Sequence, residues 1–204
     1  MIDLHTHTYL SDGVLGPAEL ARRAFVQGYK TLCISDHADM SNIDFIVPRL
    51  VDAARELQTV MPLRIIPGVE LTHIPCSLIA HMVGRARSLG ATIVLVHGET
   101  PVEPVEPGTN RAAIDAGVDI LAHPGLISED AAVLAAKKGV CLEITTRKGH
   151  SLTNGWIASM ASKTDARLVL NTDSHEPKDL LTEELFNITA KEQVYQNRLL
   201  ICLK

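Results

Sequence analysis

Short runs of β-branched and aliphatic residues alternate with amphipathic stretches of roughly a dozen residues along this chain, and that period limits the fold more than any other feature. The runs predict strands at Ile2–His5, Thr31–Ser35, Arg64–Glu70, Ala91–His97, Asp119–His123, Val140–Thr145 and Arg167–Thr172. Between them the spacing predicts helices at Pro17–Gly28, Phe45–Val60, Ser77–Leu89, Asn110–Ala116, Ser128–Lys138 and Asn154–Lys163, then a polar helical tail from Thr182 to Asn197. Pro17 suits a first helical turn, Gly28 suits a helix end, and Ser128 is followed by two acids as a capping residue should be. Strands joined by helices pair in parallel, so seven βα units predict a TIM-type barrel one unit short, with a doubly wound open sheet as the alternative. The 204 residues hold no linker, low-complexity segment or repeat, and residues 1–204 read as one domain with one core.

That core must be built from Val, Ile, Leu and Ala, because aromatics make up only 3% of the chain. A net charge of −5 makes nucleic acid an unlikely partner, since a dedicated polynucleotide binder shows a basic face. No apolar run is long enough to span a membrane, and Asp3, His5 and His7 interrupt the place a signal peptide would need. Cys33, Cys76, Cys141 and Cys202 form no Cys-x-x-Cys pair. Cys33 and Cys141 fall in apolar strand-like runs and read as buried reduced thiols, as in a cytoplasmic protein. Any metal site must therefore use oxygen and nitrogen ligands.

Six of the seven predicted strands end in such a ligand. The first ends at His5 and His7, which an extended backbone projects to one face. The others end at Asp36-His37, Glu70, His97, His123 and Asp173-Ser174-His175. In a parallel barrel the C-terminal ends of the strands form the rim on which chemistry is built. With Asp12 from the first loop the set is His5, His7, Asp12, His37, Glu70, His97, His123, Asp173 and His175. Six imidazoles and three carboxylates exceed the needs of one tetrahedral ion and suit two or three divalent ions of Zn, Mn or Fe. The sixth strand ends instead in Thr145-Thr146-Arg147-Lys148-Gly149-His150, where Arg147, Lys148 and His150 make a cationic cluster fit for a substrate phosphate. Asp36 and Glu99 are placed to orient a ligand histidine from behind, and Asn171 and Thr172 to do the same or to pack. His81 reads as a surface or supporting histidine on a helix, and His73, on the loop past Glu70, has no assigned role.

The segments D-L-H-T-H…S-D-G (from Asp3), S-D-H (Ser35–His37), G-V-E (Gly68–Glu70), V-H-G-E (Val96–Glu99), A-H-P-G (Ala122–Gly125) and T-D-S-H (Thr172–His175) resemble the PHP family, named for bacterial DNA polymerases and histidinol phosphatases. The resemblance implies a distorted (β/α)7 barrel, a trinuclear metal centre and phosphoesterase activity. It implies one ion at His5, His7, Glu70 and Asp173, a second at Glu70, His97 and His123, and a third at Asp12, His37 and His175. Asp12 stands where the family often has a histidine, and the chain is shorter than typical histidinol phosphatases of the family.

Coordination lowers the pKa of water toward neutrality, so a metal-activated hydroxide is the expected nucleophile, with Glu70, Asp173, His175 and Arg147 as the expected catalytic set. A small-molecule phosphomonoester, histidinol-phosphate-like, is the expected substrate. A phosphodiesterase or exonuclease acting on nucleic acid, or a scaffold barrel of the ribonuclease P type, are the alternatives. Oligomeric state is not expressed in the sequence.

Overall fold

The computed structural model describes residues 1–193. Its strands are β1 (Ile2–Asp3), β2 (Thr31–Ile34), β3 (His37–Ala38), β4 (Arg64–Leu71), β5 (Ile93–His97), β6 (Ile120–Ala122), β7 (Cys141–Thr145) and β8 (Arg167–Asn171). Its helices are α1 (Pro17–Val26), α2 (Ile43–Gln58), α3 (Ile79–Ser88), α4 (Thr109–Ala116), α5 (Glu129–Lys138), α6 (Asn154–Thr164) and α7 (Glu183–Gln193). Among the described residues the sheet runs β1-β2-β4-β5-β6-β7-β8, all in parallel, and the short β3 continues the course of β2 along the far half of β4.

The last strand returns to the first, which settles the choice between an open sheet and a barrel. The Leu4 N–H donates to the Asn171 side chain at 2.8 Å, the Thr172 hydroxyl donates to Asp3 at 2.6 Å, and Thr6 bridges Ser174 in parallel. Side chains thus complete a seam that backbone pairing leaves short, and the result is a distorted (β/α)7 barrel.

Strand alternation sorts the side chains into two layers. Val94, Val96, Leu142, Ile144, Leu168 and Leu170 point outward into the cluster shared with the helices. Leu4, Cys33, Ile66, Ile93, Leu95, Ile120, Ala122, Cys141 and Val169 point inward and fill the barrel floor. The same inward rows continue upward into polar residues: Ile93-Leu95 into His97, Cys141 into Glu143, Val169 into Asn171, and Ile66 through Gly68 into Glu70. The floor is apolar and the mouth is ionisable.

Several boundaries differ from the sequence reading. β1 stops at Asp3, because His5 and His7 pair with loop groups and not with a neighbouring strand. α2 begins two residues earlier than expected, with Pro48 tolerated inside it. α7 ends the described chain, and positions 194–197 of the expected tail lie outside it. Cys33 is buried and free as expected, and Cys141 is buried as expected. No described helix is long and apolar enough to cross a membrane.

Two glycines are sterically required in the loops at the mouth. A Cβ on Gly125, at φ +62°, would lie 1.9 Å from the Glu99 carbonyl oxygen, and one on Gly13 would lie 2.5 Å from that of His7. Both sites press one rim loop against neighbouring backbone.

Asp3 supports the seam at a cost. It is fully buried and accepts from the Thr172 hydroxyl and from the backbone N–H groups of Thr172 and His5, at 2.6, 3.3 and 3.2 Å. Burial nevertheless raises its carboxyl to about 6. A carboxyl raised in the folded state takes up protons on folding between its unfolded and folded values, so stability falls as pH rises from about 4 to about 6. Asp3→Asn keeps an acceptor and removes the charge. In chelator-treated protein the variant should gain on the wild type by on the order of 2–3 kcal/mol as pH goes from 4 to 7, at about 1.4 kcal/mol per unit. Denaturant melts at a series of pH values read this, and parallel curves for the two proteins would refute it.

Candidate metal centre

Four of the strands deliver their donors to the mouth directly. β4 carries Glu70, β5 ends in His97, β6 leads into His123 and β7 contains Glu143, all 3% exposed or less. The residues after β1 and β8 supply His5 and His7 on one side of the seam and Asp173 and His175 on the other. Two of these donors sit on strained backbone: His123 has φ +27° and Asp173 φ +53°, in the region L-residues avoid at a cost of about 1–3 kcal/mol each. Both follow directly on strand ends, and the turn redirects each side chain into the mouth.

Donor atoms gather there within 4.8 Å of one another in four groups that could hold an ion, among the described residues: His5, His7 and Asp173; His7, Asp12, His37 and His175; His97, His123 and His150; and His5, His123 and Glu143. Glu70 lies between them. Its Oε2 is 3.2 Å from His5 Nε2, 3.6 Å from His7 Nε2 and 2.7 Å from His37 Nδ1, and its Oε1 is 3.6 Å from His123 Nε2. Asp173 Oδ1 is 3.1 Å from His7 Nε2 and 3.6 Å from His5 Nε2. Asp12 reaches His175 Nε2 at 3.2 Å and His37 Nε2 at 3.6 Å.

The nine residues named from the rim pattern are thus all found at one mouth. His5 Nε2, both nitrogens of His7, both oxygens of Glu70, His123 Nε2 and Asp173 Oδ1 are buried without a hydrogen-bond partner among the described residues. Burying polar atoms unpaired is costly, and coordination to cations is the ordinary remedy. The residues fit divalent metal ions.

Charges in the mouth pull both ways: burial works against protonation of His5, His37 and His175, yet the neighbouring carboxylates raise all three. His7 is lowered to about 4 by burial and by the neighbouring His37, which keeps its imidazole neutral. Burial works against ionisation of Asp12, Glu70 and Asp173, yet the surrounding imidazoles hold all three well below the usual carboxylate range.

Other expectations resolve differently. His150 turns away from Arg147 and Lys148 and stacks on His123, with ring centroids 4.1 Å apart. Arg147 pairs with Asp179 at 3.3 Å and, with Lys148, lines a cavity of about 450 Å³ bordered by Thr172 and Glu176. Asp36 does not touch the His37 ring. It accepts from Thr8 N–H and hydroxyl and from Ser11 N–H and hydroxyl at 2.7, 2.8, 3.2 and 2.6 Å, and so ties down the first loop. Glu99 accepts from the N–H groups of Gly108 and Asn110 at the start of α4 and does not face His97. His81 is exposed on α3, and His73, also exposed, lies 3.4 Å from Glu103.

Glu143 and Glu103 escaped the sequence reading. Glu143 Oε1 lies 2.7 Å from His5 Nδ1, its Oε2 lies 3.0 Å from His123 Nδ1 and accepts the His123 N–H, and Asn171 donates to Oε1 at 2.8 Å. Burial opposes its ionisation, but the His5 and His123 rings bring it down to about 2. An ionised Glu143 can accept from both Nδ1–H groups, and in the neutral rings that tautomer leaves the Nε2 lone pairs for a metal ion. The available signal was the parity of Cys141-Glu143-Thr145, which puts Glu143 on the inward row. Glu103 lies in the Pro- and Glu-rich loop after β5, where no period marks which acid turns inward.

A parallel barrel whose mouth gathers imidazoles and carboxylates in this way is the layout of a metal-dependent hydrolase. Residues 3–183 match the PHP domain, and the chain belongs to the PHP family of metal-dependent phosphoesterases. It is 47% identical over 184 residues to the uncharacterized protein MJ1295 of Methanocaldococcus jannaschii, covering 89% of this chain and 84% of that one. It is 26% identical over 207 residues to the DNA polymerase/3'-5' exonuclease PolX of Bacillus subtilis, covering 92% of this chain but 36% of the relative. The fold also matches the crystal structure of histidinol phosphate phosphatase from Lactococcus lactis, in complex with Zn, L-histidinol and phosphate. That match has a TM-score of 0.68 at 16% identity and covers 95% of this chain and 92% of the other.

Glu143→Gln replaces one acceptor by a donor, which one of the two rings can meet only by moving its proton to Nε2. Affinity for at least one ion should fall about 10–100-fold with the fold intact, as read by chelator competition alongside circular dichroism. Unchanged affinity would show that Glu143 does not set the tautomers.

Proposed function

We propose that this protein hydrolyses a small phosphomonoester, histidinol-phosphate-like in its chemistry, using two or three divalent ions of Zn, Mn or Fe. The observation that carries the reading is Glu70: a buried carboxylate with neither oxygen hydrogen-bonded among the described residues, set among His5, His7, His37 and His123. His5, His7, Glu70 and Asp173 would hold one ion, His97 and His123 with Glu70 a second, and Asp12, His37 and His175 a third. Bound there, divalent ions supply Lewis acidity toward a phosphoryl oxygen and a water of lowered pKa.

The chain's own residues supply the rest. Arg147 and Lys148 bring positive charge to a cavity beside the segment 172–176 that carries Asp173 and His175, and they would take the phosphate oxygens. Asp179 fixes Arg147 at 3.3 Å while accepting the His175 and Glu176 N–H groups at 3.0 and 2.9 Å, so one carboxylate ties the phosphate-binding side to the metal side. Apart from Leu181 the described residues that line the cavity are charged or polar, and none of them is aromatic, which favours a compact monoester. The complex of the Lactococcus lactis enzyme with Zn, L-histidinol and phosphate supports the same substrate class.

A phosphodiester substrate is the second reading, favoured by the likeness to PolX. Phosphate release from a panel of monoesters, histidinol phosphate included, set beside cleavage of short oligonucleotides, separates the two. Protein loaded with Mn, Zn or Fe should turn over monoesters, Glu70→Ala should fall to background, and Arg147→Ala should lose about 10²-fold in kcat/KM. Cleavage of oligonucleotides with no monoester turnover would overturn the monoesterase reading.

A further inference from the structure

Two loops bring to the His97–His123 pair a pair of residues that no strand end supplies. His150 begins a short turn, His150–Thr153, after β7 and is 7% exposed. Its ring stacks on His123 with an interplanar angle of 18° and meets the edge of His97 at 5.6 Å between centroids. From the loop between β5 and α4, Glu103 places Oε2 3.2 Å from His97 Nε2 and Oε1 3.4 Å from His150 Nε2.

The ring nitrogens show which way the three imidazoles are set. His97 Nδ1 lies 3.2 Å from the Gly98 carbonyl oxygen, His123 Nδ1 lies 3.0 Å from Glu143, and His150 Nδ1 lies 2.8 Å from the Thr100 hydroxyl. Each Nδ1 is occupied by a group outside the cluster, and the first two face pure acceptors. A ring that donates from Nδ1 carries its lone pair on Nε2. The donor atoms of the three rings fall within 4.8 Å of one another, and both Glu103 oxygens face the same space. A surface carboxylate that merely balanced charge would not need three rings with their proximal nitrogens engaged elsewhere.

We propose that His150 and Glu103 are ligands of the ion at His97 and His123, so that this position has three imidazoles and a loop carboxylate of its own and does not depend on Glu70 alone. The proposal rests on the metal-dependent reading above. Three imidazole nitrogens beside carboxylate oxygens suit zinc among the candidate ions. Glu103, at 37% side-chain exposure, is the ligand on the water side and the one a substrate oxygen can replace.

The test is metal binding by the full chain, apart from any turnover. Protein reconstituted with Zn(II) or Co(II) is titrated with a competing chelator, its metal content counted by mass spectrometry, and the Co(II) visible spectrum recorded. Glu103→Gln, on a half-exposed loop, is safe for folding, and His150→Gln is the second variant. Each should weaken one ion by about 10-fold or more, leave the others in place and alter the Co(II) bands of that ion. Wild-type stoichiometry, affinity and spectrum in both variants would overturn the assignment while leaving the metal-dependent reading standing. A wild-type chain that holds no transition ion would overturn both.

Discussion

Everything in this barrel is arranged around a carboxylate that the protein alone leaves unsatisfied. Glu70 is fully buried, neither oxygen has a hydrogen-bond partner among the described residues, and imidazoles approach it from the segment after β1, from β3 and from the loop after β6. A buried charge without partners is among the most destabilising things a fold can contain. It survives here because the surrounding rings supply compensating charge and because the site suits cations. The apolar floor of Leu4, Ile66, Leu95 and Ile120 excludes water from below and sharpens that demand.

Much of this was legible before any coordinates. The alternation of strand and helix gave the barrel, and the ends of six strands gave eight of the nine residues that meet at its mouth, Asp12 coming from the first loop. The mouth was legible because strand ends are points where position in sequence maps directly onto position in space. Loops break that mapping. Glu103 and His150 come from loops, and nothing in Gly98–Gly108 distinguishes the acid that turns inward from Glu99 or Glu106, which accept from backbone N–H groups near α4. Glu143 was legible in principle: a glutamate on the inward row of Cys141-Glu143-Thr145 has nowhere to go but the interior. Reading β7 as simply apolar hid it.

The misassigned helpers fail for reasons of position. Asp36 adjoins His37, and adjacent residues in an extended segment project to opposite faces, while Glu99 stands two residues past His97 in the loop after β5 has ended. Asp36 serves the first loop instead, and Glu99 the start of α4. Their use is still connected to the mouth, because Asp36 holds the turn that carries Asp12, and Glu99 fixes the far end of the loop that carries Glu103.

The seam between β1 and β8 has a consequence for how the molecule is made. Leu4 and Asn171, which join across it, are 167 residues apart. Contacts at such separation carry the largest loop-closure cost and form late. As the chain emerges during synthesis, His5 and His7 precede Asp173 and His175 by about 166 residues or more and must wait for them before the two pairs can face each other. The two halves of the donor set are therefore kept apart until the barrel is otherwise built, and a half-made chain displays a lone His-x-His and no finished cage. Maturation of the centre is in this sense a final step of assembly, timed by topology.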